Sequence, residues 1–386
     1  GYNRRAYSRS HTIQVLGQKV LVNMEYSTEE KRYILLYLAR GMTPARFNNL
    51  IEYYGSASEV LAAAESPEFK DPKLAGSIIR ACREEAFAQI ENRASEMGVR
   101  MICRVSPDYP PRFLDCAPPP PIIYTRGDIS LLYGGGISII GSRRCTCYGR
   151  SVAASFGRAA ALAGIPIISG GAYGIDTDAL TAALDAGGRT VAVFGCGIDI
   201  CYPSSNAQLF DRIAKAGLLI SEFPPGTAPQ AYNFPRRNRL VSALCDCLAV
   251  IEAGEKSGTL STVRCAQAQG REIACVPGNI TSPQSVGCNR LIKQGARCIT
   301  SPDDLLALVG KTAPKTKRPV IKVTPEESEL IKQMRNGEEV SLDELTQRCN
   351  NSAGKLAALL TMMELRGIVQ RAAGGLYILN NDNIYR

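Results

Sequence analysis

Three arginines, a phenylalanine and several glycine- and hydroxyl-bearing turns carry the chemistry this chain could perform. Asn233-Phe234-Pro235-Arg236-Arg237-Asn238-Arg239 places a flat ring and the Asn238 amide among three guanidinium groups. Guanidinium forks hold phosphates, and a ring such as that of Phe234 offers a base a stacking face. Gly141-Ser142-Arg143-Arg144 adds a glycine for close approach, a hydroxyl donor and further cations, without the G-x-G-x-x-G spacing of a dinucleotide fingerprint. In Ser169-Gly170-Gly171-Ala172-Tyr173-Gly174 the glycines leave room for a phosphate-sized nest of N–H groups. Ser257-Gly258-Thr259 opens a helix, a second place where backbone N–H groups meet an anion. Together these groups predict a single-stranded nucleic acid as the ligand.

Carboxylates stand among these turns. Asp176 follows the glycines and is expected to cap the next helix, with a ribose or base as its alternative partner. Glu252 follows the apolar run Leu248-Ala249-Val250-Ile251 and is expected to pair with an arginine and orient it. The hydrolytic alternative sets Glu222, Glu252 and Asp176 around a nucleotide, where two carboxylates can cleave a glycosidic bond without metal or histidine. The single histidine, His11, lies in a polar leader that begins with Gly1, which argues against triads and His-ligated metals. That leader, residues 1–26, is expected to be disordered or vector-derived, with Met24 as the natural start.

The chain has 386 residues, 45% of them hydrophobic, a formal charge of +9 and a pI near 8.9. That length implies two to four domains, and that charge suits a polyanionic partner. Fourteen cysteines are scattered through apolar runs such as Val193-Phe194-Gly195-Cys196 and Ile273-Ala274-Cys275-Val276, as small core residues would be. No zinc-type C-x-x-C repeat is present, so neither a metal nor a cofactor is expected. No apolar run approaches the ~18 residues of a membrane span, and a cytoplasmic location without membrane contact is expected.

The elements that must position these groups follow from periodicity. A helix is expected from Ser27 to Gly41 with Ile34, Leu35 and Leu38 on one face. Another runs from Thr43-Pro44 to Gly55 with Phe47, Leu50 and Ile51, and further helices span 56–64 and 75–97. Residues 27–98 thus form a small helical domain of the sterile-alpha-motif or helix-hairpin-helix kind. Pro107 to Pro111 and Pro118 to Pro121 make 99–136 an extended lead-in. Short apolar runs at 137–140, 165–168, 190–194, 218–220, 247–251 and 272–276 then alternate with helical stretches, the mark of a doubly wound parallel sheet. Ligands of such a sheet gather at the carboxyl ends of its strands. A basic, proline-bearing linker over 310–324 leads to a compact tail, 325–386. There Ile331, Leu342, Leu345, Leu356, Leu359 and Leu360 recur at helical spacing before two short strands flanking Ala373-Gly374-Gly375, a winged helix.

Several ordered motifs carry a resemblance. Gly141-Ser142-Arg143, Ser169-Gly-x-Ala-x-Gly-Ile-Asp176, Gly195-x-Gly-x-Asp199-x-x-Tyr-Pro203-x-x-Asn206, Phe234-Pro-x-Arg-Asn-Arg239, Glu252-Ala, Ser257-Gly-x-Leu260 and Val276-Pro-Gly278 resemble the bacterial DNA-processing protein A family, DprA or Smf. The resemblance is dense over residues 100–300. It implies an extended Rossmann domain over 99–309 that binds single-stranded DNA, pairs as a homodimer, and helps load RecA recombinase onto DNA in natural transformation and homologous recombination. No catalytic activity comes with it. Carried over to this sequence, Arg143 and Arg236 to Arg239 would hold phosphates, Phe234 would stack, and Asn238 would read a base or fix its loop. One departure is Leu180, where the family often has histidine.

Four phosphates neutralised by these arginines would give a salt slope of roughly −2.8, so affinity would fall on the order of 50-fold between about 50 and 200 mM salt. Two other readings compete on the same sheet. One is a phosphoribohydrolase-like enzyme, although its Pro-Gly-Gly-x-Gly-Thr motif is missing and Gly254 to Thr259 is a distant echo. The other is a sensor of small nucleotides that signals through the tail.

Overall fold

The computed structural model describes residues 26–312, 323–335, 338–349 and 351–379; the leader with His11 and Met24, and most of the basic linker, lie outside the described residues. Five helices come first: α1 (Thr28–Leu38), α2 (Pro44–Tyr54), α3 (Ala57–Ala64), α4 (Pro72–Ala81) and α5 (Glu84–Glu96). Their starts are written locally. Ser27 and Glu30 form a reciprocal capping box on α1, and Thr43 caps α2, whose first residue is Pro44. The single helix expected over 75–97 is two, because the backbone turns extended at Arg83. The break lets α4 pack on α1 and α3 while α5 packs on α1 and the first strand.

Among the described residues nine strands form one sheet: β1 (Arg100–Cys103), β2 (Ile122–Gly127), β3 (Ile137–Ile140), β4 (Ile167–Ser169), β5 (Thr190–Phe194), β6 (Leu218–Ser221), β7 (Cys247–Val250), β8 (Glu272–Cys275) and β9 (Arg297–Cys298). Their spatial order is β1-β2-β6-β5-β4-β3-β7-β8-β9. From β6 to β9 the sheet is parallel, while β2 joins β6 and β1 joins β2 antiparallel. The stretch 99–136 is therefore not only a lead-in. It adds two strands to the sheet edge, and the prolines lie between them.

Helices α6 (Cys147–Leu162), α7 (Ile175–Asp185), α8 (Ala207–Ala216), α9 (Asn233–Leu244), α10 (Thr259–Ala268), α11 (Val286–Lys293) and α12 (Pro302–Leu308) cover both faces. Alternate strand residues sort the two cores. Ile139, Ala192, Phe194 and Ala249 pack with α6, α7, α8 and α12, and Ile140, Val193, Ile220 and Val250 pack with α9, α10 and α11. The first of these cores runs without interruption into the front helices through Tyr33, Ile34 and Met101. In the tail, α13 (Pro325–Gln333), α14 (Leu342–Cys349), α15 (Ala353–Leu365) and the hairpin β10 (Val369–Arg371) and β11 (Tyr377–Leu379) enclose a separate core, with a single antiparallel bridge from Val340 to Tyr377. The architecture is α/β: a doubly wound sheet with a helical front and a winged-helix tail. Among the described residues no helix is long and apolar enough to cross a membrane.

Candidate nucleic-acid interface

Strand order reverses between β3 and β7. The chain leaves β3 toward β4 and leaves β7 toward β8, on the opposite side, so the loops after these two strands part and open a crevice. A cleft of about 730 Å³ occupies it, walled by Gly141 to Arg144, by Gly254 and Lys256 to Thr259, and by Phe234, Arg237, Asn238 and Val241 of α9.

The two sides are tied together by hydroxyls and a carboxylate. Thr259 donates its hydroxyl to the Gly141 carbonyl at 3.1 Å, and Ser257 accepts from the Thr259 N–H at 3.2 Å. Glu252 accepts the Thr146 N–H at 2.9 Å and its hydroxyl at 2.6 Å, while Thr146 caps α6 by accepting from Gly149 at 3.1 Å. Glu252 therefore does not pair with an arginine, as the sequence had suggested. It fastens the start of α6 to the end of β7, and Gly149 is required there, since a Cβ would stand 2.5 Å from that carboxylate.

The glycine loop after β4 is also built differently from the expectation. Asp176 is buried in the first turn of α7 and accepts the N–H groups of Gly170 at 3.1 Å and Ala172 at 3.3 Å. The capping residue of α7 is Gly174, so Asp176 does not cap its own helix. It fills, with the chain's own carboxylate, the nest expected to take a phosphate. Burial pushes the Asp176 carboxyl above the usual carboxylate range, against the pull of Arg237 and the loop N–H groups. Ser169 is fully buried and donates to Ile139 at 2.7 Å. Gly171 packs on Phe210, and Gly174, at φ +79°, lies beneath the Ser142 carbonyl. These three residues shape the loop without lining the cleft.

The arginines of α9 divide. On a helix Phe234, Arg237, Asn238 and Val241 share one face, and this is the face that lines the cleft. Arg237 donates to the Gly170 carbonyl at 2.7 Å and to the Val193 carbonyl, and its Nε donates to Asn238 at 3.1 Å. Burial draws its pKa down to about 10. Asn238 in turn donates to Ser261 at 2.7 Å. Arg236 and Arg239 turn the other way, onto the buried carboxylate of Glu222, at 3.0 and 2.5 Å. The arginine cluster read as a phosphate grip thus splits between a wall of the cleft and a buried ion cluster behind it.

Cations that do face solvent here are Arg143, Arg144 and Lys256, all exposed and none within 4 Å of a carboxylate among the described residues. The Arg143 guanidinium lies 5.4 Å from the centroid of Phe234, and that of Arg237 lies 5.8 Å from it. The Phe234 ring approaches so closely that a Cβ on Gly195 would stand 2.7 Å from it. Tyr202, 43% exposed and 5.5 Å from the Phe234 centroid, is the more open ring. Lys256 and Tyr202 were not singled out from the sequence, although one adjoins Ser257-Gly258-Thr259 and the other sits in the Tyr-Pro motif. Asp199 and Asn206 of that motif hold loops. Asp199 accepts the Gly226 N–H at 2.8 Å, and Asn206 donates to the Gly171 carbonyl at 3.0 Å. Among the described residues no group of three or more His, Cys, Asp or Glu side chains could hold a metal.

Comparison with known proteins identifies the family. Residues 100–310 match the family described as DNA recombination-mediator protein A, and residues 311–375 match the DprA winged helix domain. The chain is 45% identical over 173 residues to a putative DNA processing protein DprA of Mycobacterium tuberculosis, 45% of this chain and 44% of that protein. It is 40% identical over 211 residues to the DNA processing protein DprA of Bacillus subtilis, 54% of this chain and 71% of that one. The matched stretch thus spans less than half the length of the mycobacterial relative. Among solved structures, DprA of Streptococcus pneumoniae superposes with a TM-score of 0.61 at 30% identity, covering 74% of this chain and 98% of that one. DNA processing protein A of Helicobacter pylori, described for its single-stranded DNA binding mode, gives 0.50 at 31% identity, covering 55% and 95%.

Proposed function

We propose that this chain, which belongs to the DNA recombination-mediator protein A (DprA/Smf) family, binds single-stranded DNA in its switch-point cleft and hands it to a RecA-type recombinase. The observation that carries this reading is the set of unpaired cations, Arg143, Arg144 and Lys256, around a cleft whose wall holds Tyr202 and Phe234. Backbone phosphates meet the cations at the rim, and bases freed from a duplex stack on the rings, Tyr202 first because it is the more open. Such contacts are tolerant of sequence, as a carrier of arbitrary DNA requires. The likeness to the H. pylori protein supports the choice of a single strand. Delivery to RecA and pairing into a homodimer rest on the family.

Three cations rather than four set the salt dependence, with a slope of about −2.1 and a loss of roughly 20-fold in affinity between about 50 and 200 mM salt. The hydrolytic alternative finds less support. Asp176 is the only carboxylate lining the cleft among the described residues, and its Oδ2 already accepts two backbone N–H groups. Glu222 and Glu252 are both buried and engaged elsewhere. The test is fluorescence anisotropy with labelled poly-dT, competed with duplex DNA and with AMP. Retention of the single strand against both competitors is expected, and displacement by AMP would move the assignment to a nucleotide enzyme or sensor.

A further inference from the structure

Helix α9 presents two faces to two different environments. Its cleft face carries Phe234, Arg237 and Asn238. Its rear face carries Arg236 and Arg239, which converge on a single oxygen, Oε2 of Glu222, just beyond β6. The Glu222 side chain is fully buried, and Arg236 also lies 5.3 Å over the ring of Phe223. The first turn of α9 has no side-chain cap. The C-terminal half of this helix is held by the buried Leu240, Val241, Ala243 and Leu244, and its N-terminal half by side-chain anchoring, with Arg237 in front and the Glu222 cluster behind. A buried charge cluster of this kind is weak as a source of stability but can select one geometry.

We propose that Glu222 is a positioning residue for DNA binding: through Arg236 and Arg239 it sets where the start of α9 holds Phe234, Arg237 and Asn238 in the cleft. This rests on the cleft being the single-stranded DNA site. Without the carboxylate, the buried Arg239 and the one-third-exposed Arg236 lose their shared counter-charge, and Arg236 is free to turn toward solvent. Oε1 of Glu222 and Nη1 of Arg239 already lack partners among the described residues, so little else is there to take over.

The test uses the full chain with Glu222→Gln, the milder Glu222→Asp, and Arg143→Ala for comparison, binding labelled poly-dT over a salt series well below each variant's melting temperature. Glu222→Asp, which keeps the charge but shortens its reach, is expected to weaken binding by about fivefold, the equivalent of one hydrogen bond. Glu222→Gln is expected to weaken it by tenfold or more. In both the salt slope stays at the wild-type value, because no cation at the rim is lost, whereas Arg143→Ala reduces it by roughly 0.7. Wild-type affinity in folded Glu222→Asp and Glu222→Gln would overturn the inference, and so would a flattened slope, which would put Arg236 on the DNA. If Glu222→Gln does not fold, Glu222→Asp alone decides. If the wild-type chain does not bind poly-dT, the cleft reading falls and this one with it.

Discussion

The switch-point cleft and the outer face of α15 are both surfaces on which a nucleic acid could lie, and they are made of opposite materials. The cleft gathers Arg143, Arg144 and Lys256 without carboxylate partners and floors them with hydrogen-bonded polar side chains. Along α15, the helix a winged helix would use to read a duplex, the exposed residues include Ala358, Thr361, Met362 at 55% and Leu365 at 77%. Its one lysine, Lys355, leans toward Glu326 at 3.6 Å, and Glu364 adds negative charge. A fold associated with duplex reading does not bring the charge that phosphates need. The chemistry of a nucleic-acid surface is set by which cations remain unpaired, and that is decided by local packing.

The strongest way to break the comparison is Arg237→Ala. It strips the buried Val193 carbonyl and the part-buried Gly170 carbonyl of their donor, and at about 1–3 kcal/mol for each unmet group the chain should lose on the order of 3 kcal/mol of stability, read as a lower urea midpoint, together with poly-dT binding. Arg143→Ala acts on the rim alone. Affinity for poly-dT should fall about tenfold with no change in the urea midpoint, as loss of one charged contact predicts. An unchanged affinity would leave the cleft no better a candidate than α15.

Asp176→Asn sharpens the comparison by testing whether the glycine nest is closed from within. Burial raises this carboxyl, so its ionised form costs more in the folded chain than in the unfolded one. Its share of stability is complete below the ordinary value near pH 4 and is lost as pH rises through the raised value. Asn keeps an acceptor for Gly170 and Ala172, and the variant should lose that part of the decline when urea midpoints at about pH 4 and about pH 7 are compared. Smallest of all should be the effect of removing the residues after 311. Single-strand affinity is expected to stay within about twofold, since none of the three rim cations is lost, and a larger loss would give the tail a share in the site.

The strands were legible where apolar runs alternate with helical ones, and five of the six expected runs fall within a residue of β3 and β5 to β8. β1 and β2 were not, because they pair antiparallel with each other across a proline-bearing stretch while β2 pairs with the distant β6, and nothing local records that pairing. The residues of the cleft were legible by type but not by direction. Helical spacing forbids Arg236, Arg237 and Arg239 from sharing one face, a signal available once 233–244 is taken as a helix. The closure of the nest by Asp176 left no such trace, since a glycine loop looks the same whether its N–H groups await an external anion or an internal carboxylate. Glu252 could not be told from Glu222 for a related reason: both end an apolar strand, and only the fold shows which of them meets arginine.

The apolar core that runs unbroken from Tyr33 and Ile34 into the sheet bears on how this chain melts. Three modules suggest three transitions, but modules whose buried residues run into one another are expected to unfold together. The front helices and the sheet share such a core, and the tail has a separate one. Calorimetry of the whole chain should accordingly resolve two heat-absorption peaks, with the front helices and the sheet losing structure in the same one.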